Sequence, residues 1–135
     1  NLVALAHARG FEVRPLVGPS SLLLALMASG ANGQSFAFKG YLPSEKDGRI
    51  QALKALEQHS RKHGETQIFI ETPYRNDALL ADAVGQLHPA TRLCVACDLT
   101  LPTQTIISKA VADWRKLKEM PNLKKRPAIF VLYAA

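Results

Sequence analysis

Apolar and polar positions follow two rhythms along this chain, one of period two and one of helical spacing. The run Ile68-Phe69-Ile70 is strand-favouring and leads straight into Thr72-Pro73. Leu79, Leu80, Ala83, Val84 and Leu87 then recur as a helical stripe. Thr72 is a good N-cap, since its hydroxyl can accept from an orphan N–H of the first turn. Pro73 fits the first helical position, where a missing N–H costs nothing. Glu71, Tyr74 and Arg75 therefore fall where a buried strand meets a helix, the edge at which α/β proteins bind ligands. The competing reading is an ordinary strand–helix joint with Glu71 and Arg75 as a surface pair.

Earlier in the chain, residues 1–9 read as the end of a helix stopped by Gly10, and the alternation over 11–17 predicts a strand. That strand runs into Gly18-Pro19-Ser20-Ser21, where either serine can cap the next helix and free N–H groups can hold an anion. The helix over 22–29 is apolar nearly all round, which predicts burial on more than one side. A strand over 35–40 turns through Tyr41-Leu42-Pro43. A helix to about 61 follows, with Ile50, Leu53 and Leu56 inward and Arg49, Lys54, Glu57 and Gln58 toward water.

After the 68–87 strand–helix pair come strands over 91–97 and 104–108. A helix over 109–119 carries Val111, Trp114 and Leu117, and a last strand spans 128–133. No helix separates the 91–97 and 104–108 strands, so they should pair antiparallel. The expected fold class is α/β (α+β), with a mixed, mainly five-stranded sheet flanked by helices.

Composition narrows the classes. At 135 residues, 47% hydrophobic and 21% charged, this is one modest domain with a real core. The longest apolar run, 22–28, is too short to cross a membrane, and no signal stretch opens the chain. It begins at Asn1 without Met, as a fragment would. The net charge of +6 makes an anionic partner plausible without specifying one. Much of the excess is local: Lys109, Arg115, Lys116, Lys118, Lys124, Lys125 and Arg126 face only Asp113 and Glu119. This reads either as a solvated basic face or as an RNA contact.

Cys94 and Cys97 make a C-x-x-C, but on a strand an offset of three puts the sulfurs on opposite faces. No second cysteine pair exists to complete a zinc site, and the four histidines show no ligand spacing. Two buried structural thiols, with no disulfide and no metal, are expected.

Three ordered motifs carry a resemblance: Val17-Gly-Pro-Ser-Ser, Phe38-Lys-Gly-Tyr-Leu-Pro43 and Ile70-Glu-Thr-Pro-Tyr-Arg75. Their order and spacing resemble the second half of the tetrapyrrole methylase family, the class III S-adenosylmethionine (SAM) methyltransferases. The closest branch is the one acting on ribosomal RNA, whose members carry Gly-Pro-Ser-Ala, Gly-Phe-Leu-Pro and Glu-Ser-Pro-His-Arg. Asp98-Leu99-Thr100 resembles that branch's Glu-Leu-Thr.

The resemblance implies a C-terminal domain over 19–135, with 1–18 as the last helix and strand of an N-terminal domain. SAM would lie in the cleft between the two, in a cytoplasmic homodimer. Ser20 and Ser21 would sit by the methionine end of SAM, and Tyr41 and Leu42 would line the cleft. Glu71 and Thr72 fall at the family's adenosine-side contacts. Leu99 and Thr100, with Pro127 and Ala128, would close around the adenine. Glu71 is the one acid nominated as a catalytic base, its alternatives being a pair with Arg75 or a cap of its own helix.

The implied activity is 2′-O-ribose methylation of ribosomal RNA. The alternatives are methylation of a tetrapyrrole-like small molecule, or a non-catalytic binding or dimerisation role. Two departures keep these open. Leu101-Pro102-Thr103-Gln104 replaces the branch's charged run after Glu-Leu-Thr, and Arg126-Pro127-Ala128 replaces its Lys-Gly-Glu.

Overall fold

Strand pairing organises the computed structural model, which describes residues 1–135. In chain order the elements are α1 (Leu2–Ala8), α2 (Ser21–Ser29), β1 (Phe36–Tyr41), α3 (Lys46–His63), β2 (Thr66–Ile70), a 3₁₀ turn (Pro73–Arg75), α4 (Asn76–Gln86), β3 (Arg92–Cys97), β4 (Thr105–Ala110), α5 (Val111–Trp114) and β5 (Ala128–Tyr133). The five strands form one sheet in the order β1-β2-β5-β3-β4. Only β1 and β2 run parallel, as their connection through α3 requires. The β2–β5, β3–β5 and β3–β4 pairs are antiparallel, so the sheet is mixed as expected.

Both sheet faces are covered, which is why the central strands read as unbroken apolar runs. On one face α3, α4 and α5 enclose a core containing Leu53, Leu79, Trp114, Phe69 and Phe130. The rings of Phe69 and Phe130 stack with centroids 5.6 Å apart. On the other face α2 alone lies over Ile68, Cys94, Ala96 and Val131. Cys94 and Cys97 are both free and buried, and they sit in these two different cores, as strand alternation demands.

Three expectations fail. Residues 11–17 form no strand, and nearly all of them are exposed. No neighbouring strand is present to complete a ladder, and Pro15 removes a donor from the segment. The helix expected over 109–119 is only the four-residue α5, because Lys109 and Ala110 continue the β4 ladder opposite Leu93 and Arg92. Trp114 ends the helix as an anchor, its indole N–H donating to the Leu93 carbonyl at 2.8 Å.

The third concerns α3. Arg49 and Glu57 do not face water but are buried, at 5% and 7% exposure. Arg49 reaches Asp82 of α4 through Nη2 at 2.6 Å and Nε at 2.7 Å. Glu57 Oε2 accepts from the Thr91 hydroxyl at 2.6 Å and from the His88 N–H at 2.8 Å. Buried charges on this helix are thus paired, tying α3 to α4 and to the loop before β3.

Candidate functional site

The C-terminal ends of β2 and β3 meet the start of β5 on the face that carries α2. Ile70 pairs with Ile129, and Cys97 pairs with Ala128. A cavity of about 350 Å³ opens here, within the range of small-ligand sites. Each of the segments singled out in the sequence contributes to it. Ser21 comes from the start of α2, Tyr41 from the end of β1, and Glu71 and Pro73 from the strand–helix joint. Asp98, Leu99 and Leu101 come from the β3–β4 turn, and Pro127 and Ala128 from the start of β5.

Of the ten residues expected at a cofactor, Ser21, Tyr41, Glu71, Leu99, Pro127 and Ala128 line this cavity. Ser20 is the N-cap of α2, one residue away, and makes no side-chain cap bond. Thr72 lies between two lining residues. Its hydroxyl oxygen is buried and unpaired rather than capping the helix. The first turn there is the 3₁₀ Pro73–Arg75, with the α-helix starting only at Asn76.

Leu42 and Thr100 correct the expectation. Leu42 is 8% exposed and belongs to the core on the opposite face of the sheet. A register shift between Phe38 and Tyr41, with Gly40 at φ +69°, pairs Tyr41 with Ile70 and so turns it onto the α2 face. Leu42, the next residue, is thereby sent inward. Thr100 lines a shallower hollow against Leu24 and Met27 of α2. Sequence reasoning missed Ile70, Ala96 and Ile129, which form the floor, and Asp98. The floor was findable from strand alternation once the pairing was known; the role of Asp98 was not.

Glu71 has a buried carboxylate held from two sides. Its Oε1 accepts from the Thr72 N–H at 2.7 Å, and Arg75 Nε lies 3.3 Å from the same oxygen. Oε2 is buried with no partner. A buried carboxylate oxygen without a partner is uncommon and singles out Glu71 among the residues of the cavity wall. The surface pair with Arg75 exists, but only Arg75 is partly exposed; Glu71 is not.

The β3–β4 turn closes the cavity in a strained conformation. Asp98 and Thr100 adopt φ +51° and +70°, unusual for any residue with a Cβ and most of all for a β-branched one. Arg126 holds this turn. Its Nε donates to Asp98 Oδ2 at 2.8 Å. Nη2 donates to the Thr103 carbonyl at 2.7 Å and to the Thr105 hydroxyl at 3.0 Å, and Nη1 to the Asn122 carbonyl at 2.8 Å. The Arg126 guanidinium, helped by the Thr103 hydroxyl, keeps the Asp98 carboxyl below the ordinary carboxylate range.

The basic region divides accordingly. Arg126 is spent on protein acceptors, and Arg115 closes the end of α4 by donating to the Val84 and Leu87 carbonyls at 2.8 and 2.7 Å. The Arg126 guanidinium is thus largely committed to the protein, which corrects one of the seven basic residues expected at RNA, whereas Arg115 is exposed and keeps Nη1 without a protein partner. Like Arg115, Lys109, Lys116, Lys118, Lys124 and Lys125 keep that possibility; Lys116 lies 3.8 Å from Asp113.

No metal-binding cluster of His, Cys, Asp or Glu occurs, and no helix is long and apolar enough to cross a membrane.

No protein-family model matches the chain. It is 33% identical over 135 residues to ribosomal RNA small subunit methyltransferase I of Escherichia coli O157:H7, covering 98% of the chain and 45% of that protein. It is 35% identical over 134 residues to the protein of that name in Pseudomonas aeruginosa, covering 99% of the chain and 46% of the relative. The chain therefore spans about half the length of the curated relatives it matches. Among solved structures, the methyltransferase CobJ shares the fold at a TM-score of 0.58 and 18% identity, covering 99% of this chain and 56% of its own. Homology along nearly the whole chain and the shared fold together make this protein a relative of ribosomal RNA small subunit methyltransferase I, with a domain of the tetrapyrrole methylase fold.

Proposed function

We propose that this chain supplies one wall of a SAM site in an RNA methyltransferase of this family, acting on a ribose 2′-hydroxyl of ribosomal RNA. The observation that carries the reading is the cavity where three motif segments converge, with the Glu71 and Thr72 oxygens buried and unpaired beside it. SAM fits such a site. Its adenine suits an apolar floor of Ala96 and Ile129 closed by Leu99 and Pro127. Its ribose hydroxyls could donate to Glu71 Oε2, and the start of α2 near Ser20 and Ser21 suits a carboxylate. When bound, SAM supplies an activated methyl group, so the protein's task is chiefly alignment of donor and acceptor. Alignment can contribute up to about 7–11 kcal/mol.

Glu71, locked by Thr72 and Arg75, is better placed as a fixed acceptor than as a mobile base. The remaining wall would come from a domain preceding residue 19. In support, α1 buries no residue and residues 10–19 pack on little of the domain. The exposed lysines of 109–125 suit a phosphate backbone, and the uncovered side of α2 suits a second copy in a homodimer. A cytoplasmic location follows from an RNA substrate.

Calorimetric titration of SAM tests the site. The chain alone should bind weakly and turn nothing over. A chimera carrying a relative's preceding domain should bind at least about tenfold more tightly, and Glu71→Gln should weaken that binding. If the chimera takes no SAM, the reading fails.

A further inference from the structure

The rim of the cavity is held by a side chain that makes no direct part of its lining. We propose that Arg126 is a positioning residue that clasps the β3–β4 turn into its ligand-binding shape, rather than a contact to nucleic acid. The proposal rests on the methyltransferase reading for the identity of the ligand, but not for the clasp itself.

Three observations converge on Arg126. First, its guanidinium makes four hydrogen bonds, to Asp98, Thr103, Thr105 and the Asn122 carbonyl. A guanidinium carries five N–H donors in a rigid fork, so the group is nearly saturated by the protein. Second, the turn it holds contains two residues at positive φ, Asp98 and Thr100. Such a conformation persists only where its surroundings over-determine it. Third, Arg126 is joined by backbone to the other walls. Its carbonyl accepts from Asn76 Nδ2 at 2.7 Å, at the start of α4 and just beyond Glu71–Arg75. The next carbonyl, of Pro127, accepts from the Asp98 N–H at 3.0 Å. The side chain thus fixes the turn to the loop before β5, and the backbone of the same loop joins it to the strand–helix joint; these are the pieces that meet at the cavity.

The departures from the family's motifs also take on meaning. Asp98 stands where the ribosomal RNA branch has Glu, and Arg126 where it has Lys. The shorter acid and the forked base still meet as an ion pair of 2.8 Å. The charged run that the branch places after Glu-Leu-Thr is absent here. In its place Thr103 donates its hydroxyl to Asp98 at 2.9 Å and offers its carbonyl to Arg126. A lysine could keep the charge at 126 but not the fork, so Arg126→Lys is the informative substitution.

The test compares Arg126→Lys and Arg126→Gln with the unaltered chain and with Arg115→Gln, which loses its bonds at the far end of α4. Two properties are read in each. The first is amide exchange at Leu101 and Gln104, whose N–H groups bond to the Asp98 and Leu101 carbonyls inside the turn. The second is binding of S-adenosylhomocysteine by ligand-detected NMR, alongside the salt dependence of binding to a single-stranded RNA oligonucleotide.

In both Arg126 variants the turn amides should lose protection and affinity for S-adenosylhomocysteine should fall by about tenfold or more. The slope of log K against log salt for RNA should not change. In Arg115→Gln the turn and the affinity should stay as they were. Protected turn amides in the Arg126 variants would overturn the proposal. So would unchanged ligand affinity with a salt slope lower by about one, the mark of a lost phosphate contact, or an equal loss of affinity in Arg115→Gln. If the unaltered chain binds no S-adenosylhomocysteine, the affinity comparison is made in the chimera carrying a relative's preceding domain; if that binds none either, the methyltransferase reading falls, and exchange at Leu101 and Gln104 alone decides whether the clasp stands.

Discussion

Burial pushes the Cys94 thiol up to about 11, against smaller opposing effects of the Ser108 hydroxyl and Arg92. Burial also raises Cys97, although the nearby Arg126 charge acts the other way. At pH 8 the Cys94 thiol is ionised in about one molecule in a thousand, and the thiolate is the reactive form. Neither cysteine should therefore react with a disulfide reagent such as DTNB until the protein unfolds, and both should react then. Fast labelling of one thiol in the folded chain would contradict its burial.

Asp98 supplies a pH test of the same kind. Its carboxyl titrates below the ordinary range because of Arg126 and Thr103, so the folded state binds fewer protons than the unfolded one. The stabilisation is then present in full above the unfolded value near 3.9 and lost as pH falls through the folded one. Asp98→Asn should lower the melting temperature at pH 7, and the gap to the unaltered chain should narrow as pH drops below about 3.9. The charged group that acts on this carboxyl is Arg126.

Among elements, α3 shows what sequence pattern can and cannot deliver. Its apolar stripe was legible, and Leu53 is fully buried. Arg49 and Glu57 read as solvent-facing because nothing in the pattern reveals a partner on another helix. The partners, Asp82 and the Thr91–His88 loop, lie more than thirty residues away. The same limit explains the other misreadings. The spacing of Val111, Trp114 and Leu117 suits a helix, yet pairing of Lys109 and Ala110 with β3 prevails over local propensity. The 11–17 segment has strand character but no ladder to join. By contrast, β2, β3 and β5 were legible because buried strands leave little ambiguity.

The Arg49–Asp82 pair makes a sharp prediction at this scale. Removing one partner leaves the other charge buried and uncompensated. Asp82→Ala should therefore cost about 3–5 kcal/mol in urea unfolding. The double change Arg49→Met with Asp82→Leu should cost much less, because no charge is stranded. Equal losses in the single and double variants would mean that packing volume, not charge, holds α3 to α4.

The molecule as a whole covers its two sheet faces unequally, and that imbalance has a measurable consequence. One face carries three helices and the larger core; the other carries α2 alone. The outer side of α2 remains apolar, with Leu23 at 48% and Met27 at 79% exposure one helical turn apart. The sheet continues beyond α2 on the same face through Phe36 and Phe38, since Phe38 pairs with Ile68. Both phenylalanines are exposed.

Scattered apolar residues are ordinary on a surface, but contiguous ones mark a contact with another chain or domain. The chain by itself should therefore self-associate at high concentration, and sedimentation velocity should show the weight-average mass rising with concentration. Leu23→Glu and Met27→Glu should abolish that rise. Because both positions face outward, neither change should alter stability by more than about 0.5 kcal/mol. Strict monomer behaviour of the unaltered chain would count against the α2 face as a contact surface. Association that survives both substitutions would move the contact to Phe36 and Phe38 or to the exposed residues before α2.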